Sequence, residues 1–423
     1  MNSTVTSSWG TGDYEARSTA LLEFALGHVP AYASWRSRDP GPGSPVDARY
    51  AAMPIITKHE LRLHFRTGFV PPGRDVDAGI ASGDIEFVPT SGTTDERVVN
   101  IWHQPWWDAS ERASWLLNSH SSSIAAGHRE AILASPVSVG VMTKGEPIPR
   151  DKRCLGRFLF LNEFFDPGHW TDAIVNRMLD ELESFAPVTL EANPSHLSRF
   201  CKRVTELGRK AYQPLLVILT FEFPSKVHLR SIRRVFSCPT ASSHGSTEAG
   251  YVFMECEHGR MHHNTASCRV DIEPVAGAGH GISRILVSTF DHPWFVLLRF
   301  DIGDLCRPAA APCPCGRSTG LTLDAIEGRT KNLIRSSSGA LITERMVDDA
   351  VSAFEAVQQY QLEQTAERSF VLRMETDDGA GVLRAAADAL GNLLGPGIEV
   401  KAERVPCLEP SPSGKFRLVL PTP

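Results

Sequence analysis

Four short stretches of this chain hold side chains able to handle a phosphate ester. Residues 90–94 (TSGTT) gather four hydroxyls around one glycine, directly after the short apolar run IEFVP. Backbone N–H groups around Gly92, with the hydroxyls of Thr90, Ser91, Thr93 and Thr94, can donate several hydrogen bonds to phosphate oxygens. Ordinary turns share that composition, and no lysine closes the run as it does in a P-loop. The positive charge has to come from elsewhere. In SSHGSTEAG (242–250), Glu248 stands beside Thr247, a carboxylate and a hydroxyl suited to Mg²⁺ on a phosphate. A helix-capping box is the competing reading, and Ser246 and Thr247 fit it poorly. In RFDIGDLCRP (299–308), Asp304 can accept from two vicinal hydroxyls such as a ribose presents, and Arg329 in IEGRTKNLI (326–334) can reinforce that contact or bind phosphate. An Asp in a β-turn and an Arg at a loop edge are the plain alternatives. PSGKFR (412–417) sets Lys415 on a tight turn, where a solvated lysine would look the same.

Two further groups of residues have chemistry of their own. MECEHGRMHH (254–263) supplies Cys256 and His258, and PCPCG (312–316) supplies Cys313 and Cys315. Thiolates with imidazole at close spacing suit a tetrahedral Zn²⁺, although CxH and CxC are tighter than the usual pairs. Cys306, His262 and Cys268 are reserve ligands. Four filled positions would make the zinc structural. The segment IWHQPWWDASERASW (101–115) carries four tryptophans, and Trp106 and Trp107 can offer flat walls to an aromatic acid or simply fill a core.

The elements that must position these groups follow from pattern. AILASPVSVGVM, RFLFLNEFF, VTLEA and PLLVILTFEF read as buried strands, separated by helical stretches such as HWTDAIVNRMLDELESF and PSHLSRFCKRVTELGRKA. This alternation from about 80 to 245 predicts an α/β fold with a largely parallel sheet. Closer strands from about 268 to 308 (CRVDIEPV, SRILVSTF, WFVLLRF) predict a β-rich subdomain. After residue 332 a helix near ERMVDDAVSAF and strands near SFVLRME and GIEVKAERV predict a small α+β domain.

Composition bounds the rest. The chain has 423 residues, 42% hydrophobic and 22% charged, with a formal net charge of −6, so no general attraction to nucleic acid or anionic membrane is expected. The polar, acidic N-terminus does not read as a signal peptide, and the longest apolar run, PLLVILTF, is too short to span a bilayer. A cytoplasmic enzyme is the expectation. Nine cysteines, an odd number, argue against a disulfide scaffold, and Cys154, Cys201, Cys238 and Cys407 read as core filler.

The order TSGTT, HGSTE, FDIGDL, EGRTKNLI, PSGKFR resembles the core motifs of the adenylate-forming superfamily, which includes acyl-CoA synthetases. MPIITKHELR, EANPSHL and CPCGR are similar to the phenylacetate–CoA ligase branch, and the resemblance runs over roughly residues 50–420. It implies an ATP-dependent activator of an aromatic carboxylic acid, with a large domain of residues 1–331 and a mobile C-terminal lid of residues 332–423. It implies that Thr90, Ser91, Gly92, Thr93 and Thr94 cradle the triphosphate, with Thr94 catalytic. His244, Gly245 and Thr247 would also touch ATP, with His244 near the acid as well. Glu248 would hold Mg²⁺, Asp304 the ribose, and Arg329 the ribose or phosphate. Asn332 would be the hinge, and Lys415 would arrive from the lid to bridge carboxylate and α-phosphate. Paired Cys/His elements in the same places strengthen the zinc expectation.

The acceptor implied is coenzyme A, with a carrier-protein thiol, an amine or a hydroxyl as the alternative. A non-catalytic relative that binds nucleotide and acid is the remaining rival. The partners expected are a small-molecule carboxylic acid and an acceptor, with no nucleic acid or membrane, and a dimer is compatible with the chain. The sequence departs from the motifs at Asp95 and Arg97, where glycine and proline are usual, and at His244, where tyrosine is usual.

Overall fold

A computed structural model describes residues 11–90, 98–134, 148–162, 168, 170–279, 281–411 and 414–422. The chain divides into two compact units, one of residues 1–122, 243–275 and 281–326, the other of residues 123–242, 276–280 and 327–423.

In the second unit, the run LVIL (Leu216–Leu219) is buried at every position, as a strand covered on both faces must be. It pairs in parallel with Thr189–Ala192, which pairs in parallel with Glu130–Leu133 and that with Phe158–Phe160; residues 240–242 add a further parallel neighbour. Helices Asp172–Phe185, Pro194–Glu206 and Lys226–Val235 lie between strands in sequence. Thr171 and Ser225 cap two of them, each side chain accepting a first-turn N–H that the helix itself leaves unpaired. The expected parallel α/β arrangement is present. Residues 327–423 contribute a four-stranded sheet in the order Glu399–Arg404, Ser369–Thr376, Val357–Ala366, Val419–Leu420. Helix Ala380–Leu394 and helix Glu344–Val351 share its core, and Val227 from the helix Lys226–Val235 joins that same core.

The first unit holds the expected β-rich part. Its strands run in the order Cys268–Pro274, Ser283–Thr289, Phe300–Pro308, Thr322–Arg329, Met261–His263, Gly250–Glu255, ending on residues 243–246 of the strand Thr240–Ser246. One expectation fails. WFVLLRF (294–300) is buried but is not a strand until Phe300. Its backbone is satisfied largely by side chains: the Tyr32 hydroxyl accepts from Leu298 N and donates to Val296 O, Thr289 Oγ1 accepts from Leu297 N, and Ser288 Oγ accepts from Arg299 N. Arg299 sits at φ 47°, which breaks the extended path.

Candidate functional site

Of the residues 90–94 expected to cradle phosphate, Thr90 in the first unit is described, and it is buried. Its N–H donates to Val98 O at 2.8 Å, and its Oγ1 accepts from Val98 N at 3.1 Å. Ser91, Gly92, Thr93, Thr94, Asp95 and Arg97 lie outside the described residues.

SSHGSTEAG forms a hairpin, not a helix cap. Ala249 N donates to Ser246 O, and the strand Thr240–Ser246 is followed directly by Gly250–Glu255. Gly245 marks a bulge in this pairing, and a Cβ there would stand 2.0 Å from Gly250 O, so only glycine fits. The hairpin presents Thr247 and a buried Glu248. Among the described residues no hydrogen bond reaches Glu248 Oε1, yet Lys58 Nζ is 3.4 Å from it. A buried carboxylate needs an opposite charge nearby, and here the Lys58 ammonium supplies one.

Lys58 is not among the chemical groups that the sequence motifs point to. It follows Thr57, whose capping box with Glu60 starts the helix Lys58–Leu63. Ile56 pins this segment beside the strand Phe300–Pro308, accepting from Asp301 N and donating to Arg299 O. Asp304 is buried on that strand, its Oδ2 3.3 Å from His244 Nε2. The structure therefore brings Glu248, Lys58, His244 and Asp304 into one unit, with the Lys58–Glu248 ion pair linking the hairpin to the helix Lys58–Leu63 and His244 lying close to Asp304.

Trp106 and Trp107 lie on the helix Gln104–Trp115, both half-buried. Trp106 donates to Phe290 O at 2.8 Å and packs its ring 4.4 Å from that of His292. Trp107 rests between Trp102 at 4.2 Å and Tyr251 at 5.0 Å.

The thiols gather as expected, with a different histidine. Cys256, Cys313, Cys315 and His262 each offer a ligand atom, all within 4.8 Å of one another. Cys256 Sγ and Cys313 Sγ are 3.6 Å apart, near the ~3.8 Å edge of a tetrahedron built on Zn–S bonds of about 2.3 Å. His258 is exposed in the hairpin turn, where its backbone N–H, not its ring, meets Cys256 Sγ. A β-hairpin returns the chain so that His262, on the strand Met261–His263, faces the sulfurs, with Nε2 3.3 Å from Cys315 Sγ. Burial, helped by Arg317 and Arg260 against Glu257, holds the His262 pKa at about 4, so the ring is neutral near pH 7 as a ligand must be. Burial pushes the Cys313 thiol up to about 12. At Cys315 burial also pushes upward, but hydrogen bonds from the Arg317 backbone, the Cys313 thiol and the Arg317 side chain outweigh it and lower the pKa. Cys306 and Cys268 are buried elsewhere and are not in the cluster.

In the second unit, Arg329 N donates to Glu344 Oε2 at 3.0 Å. Asn332 is buried in the short turn Thr330–Asn332, and its Oδ1 accepts from Arg417 at 3.0 Å. The left-handed residue of this segment is Gly328 at φ 107°. Lys415 follows Gly414 at φ 75°, and its carbonyl accepts both N–H and Oγ–H of Ser411. The next N–H, of Phe416, donates to Glu222. Burial raises the Glu222 pKa, opposed by Ser195, the Phe416 N–H, Asn193 and the charge of Lys415.

Neither a protein-family model nor a curated protein sequence matches the chain. Solved structures do. A 2-hydroxyisobutyryl-CoA ligase, crystallised in the postadenylation state in complex with R3-HIB-AMP, matches at TM-score 0.72 over 98% of this chain and 91% of its own, with 15% identity. The chain has the adenylate-forming fold. Two further proteins with this fold are an anthranilate CoA ligase, AuaEII, in complex with anthranoyl-AMP, and the amide bond synthetase McbA from Marinactinospora thermotolerans. The first has TM-score 0.51 at 11% identity over 78% of this chain and 65% of its own; the second has 0.51 at 13% over 79% and 67%. No helix among the described residues is long and apolar enough to cross a membrane.

Proposed function

We propose that this adenylate-forming fold activates an aromatic carboxylic acid with ATP and passes the acyl group to coenzyme A. The observation that carries the reading is the hairpin of residues 243–250, which gathers Glu248, Lys58, His244 and Asp304 in the unit that also holds Thr90. In the first half-reaction a carboxylate oxygen bonds to the α-phosphorus of ATP, and pyrophosphate leaves with the electron pair. In the second, a thiolate bonds to the acyl carbon and AMP leaves.

The motif resemblance and the chemistry of the side chains support the following roles. The Glu248 carboxylate is the seat for Mg²⁺, which when bound offsets phosphate charge. Asp304 accepts from the ribose hydroxyls. Arg329 adds a ribose or phosphate contact, and residues 90–94 supply donors to the triphosphate. Trp106 and Trp107 bound the acid. Lys415, on a lid of residues 332–423 hinged at Asn332, supplies the cation at the α-phosphate. The Cys256, His262, Cys313 and Cys315 cluster fits Zn²⁺, its donor set being three sulfurs and one neutral imidazole. Such a site, filled by protein ligands, is structural.

An amide or ester product is the second reading, because an amide bond synthetase shares the fold. Acid-dependent ATP–pyrophosphate exchange over a panel including benzoate, phenylacetate and 2-hydroxyisobutyrate tests the first half-reaction, with mass detection of the acyl-adenylate. Acceptor screening with coenzyme A, amines and alcohols then separates the two readings. ATP binding without exchange for any acid would leave only a binding protein.

A further inference from the structure

The segment EANPSHL (191–197) serves neither the phosphate chemistry nor the thiol cluster, yet it is densely bonded. Asn193 Nδ2 donates to Glu222 Oε1 at 3.0 Å; Ser195 donates to Glu222 Oε2 through Oγ at 2.6 Å and through its N–H at 3.4 Å. Glu222 Oε1 also accepts the N–H of Phe416 at 2.7 Å. That amide belongs to the residue directly after Lys415. One turn further along the helix Pro194–Glu206, Arg199 Nη2 donates to Leu408 O at 2.5 Å, and its Nη1 lies 3.1 Å from Cys407 Sγ. His196 and Arg199 share the walls of one small cleft with Leu408, Pro410 and Phe416. The loop that carries Lys415 is thus gripped at both ends, at 407–408 by Arg199 and at 416 by Glu222.

We infer that Glu222 and Arg199 are positioning residues for Lys415, and that EANPSHL is the seat on which the lysine loop is set. The inference rests on the proposed role of Lys415 in adenylation. Its physics is local. A buried carboxyl group with three side-chain and backbone donors besides Phe416 is held in one rotamer, and a buried N–H such as that of Phe416 is costly to leave without its acceptor. The fixed Phe416 nitrogen fixes the neighbouring Cα of Lys415. Between the two grips the described residues form a turn, in which Ser411 donates to Lys415 O and Gly414 N donates to Ser411 O. Loss of either grip leaves the lysine present but misplaced, and a displacement of about 1 Å at a reacting centre can lower a rate on the order of 10²-fold.

The test compares Glu222→Ala, Arg199→Ala and Glu222→Gln in the full chain. Three readouts are needed: acid-dependent pyrophosphate exchange, AMP release from supplied acyl-adenylate plus acceptor, and amide hydrogen exchange at Phe416. Glu222→Ala and Arg199→Ala are expected to lower pyrophosphate exchange about 10²-fold with the ATP KM within about twofold. AMP release should stay near wild type, and Phe416 should exchange faster in Glu222→Ala. Glu222→Gln keeps a carbonyl acceptor and should recover most of the activity. Equal loss in both half-reactions, or unchanged Phe416 protection in Glu222→Ala, overturns the inference. If Glu222→Ala does not fold, Arg199→Ala and Glu222→Gln decide. Wild-type protein without exchange for any acid removes the adenylation reading as well, whereas exchange that survives Glu222→Ala removes the inference alone.

Discussion

Replacing Gly245 by alanine tests how tightly the hairpin geometry governs the site. A Cβ at this position would stand 2.0 Å from Gly250 O, 3.0 Å from Gly250 C and 3.1 Å from Tyr251 Cα, all backbone atoms. Close C···O approaches between strands lie near 3.3 Å, so the two strands must separate by about 1.3 Å. Gly250 has little room to retreat. It sits at φ 70°, and its own Cβ position is 2.7 Å from Ser110 Oγ and 2.9 Å from the Trp106 ring. The strain therefore falls on residues 245–248, which carry Glu248. Overpacking of this kind costs about 1–3 kcal/mol of stability, and moving the Glu248 carboxylate by an ångström should lower pyrophosphate exchange roughly 10²-fold. Gly27→Ala, with nothing within 4 Å of its Cβ, is the control and should leave exchange unchanged. Denaturant unfolding and the exchange assay read the two effects. A Gly245→Ala protein with wild-type stability and wild-type exchange would refute the argument that this close approach sets the site.

Further expectations concern charge, acid and metal. Lys415→Ala should lower exchange by about 10²–10³ while ATP binding, measured by calorimetry, changes little. Cys313→Ser should abolish stoichiometric zinc in metal analysis of purified protein and lower the thermal midpoint, while Cys238→Ser should do neither. Burial pushes the His196 and His292 pKa values down to about 3. In the unfolded chain these rings take a proton near pH 6.5. Stability is then fully present above pH 6.5 and falls toward pH 3, by roughly 1.4 kcal/mol per pH unit for each ring. Urea unfolding of wild type from pH 7 to pH 4 measures that slope, and His196→Phe should flatten it.

Local periodicity made the parallel sheet readable, because runs such as LVIL and the amphipathic helix Asp172–Phe185 declare their class within a dozen residues. The misreadings share one cause, which is dependence on distant partners. WFVLLRF has the composition of a strand, but Tyr32, from far earlier in the chain, supplies the hydroxyl that bonds its backbone. His258 and His262 are equally good ligands by type, and only the hairpin turn decides which ring meets the sulfurs. Lys58 lies within ITKHELR, but its pairing with Glu248 spans the chain from the first helices to the central hairpin. Glu222 lies 194 residues from the amide it accepts, and no spacing rule reaches that far.

Trp294–Leu298 is a block of five bulky apolar side chains without charge, proline or glycine, the composition that stacks into cross-β fibrils. Its hydroxyl-bonded, irregular course is thus protective: it denies the block the straight edge on which a second copy could build. Tyr32 is the lock on that arrangement, and a phenylalanine in its place would leave a buried amide and carbonyl without their partner while the ring still filled the same space. Aggregation on heating, more than lost folding energy, is where such a change would be felt.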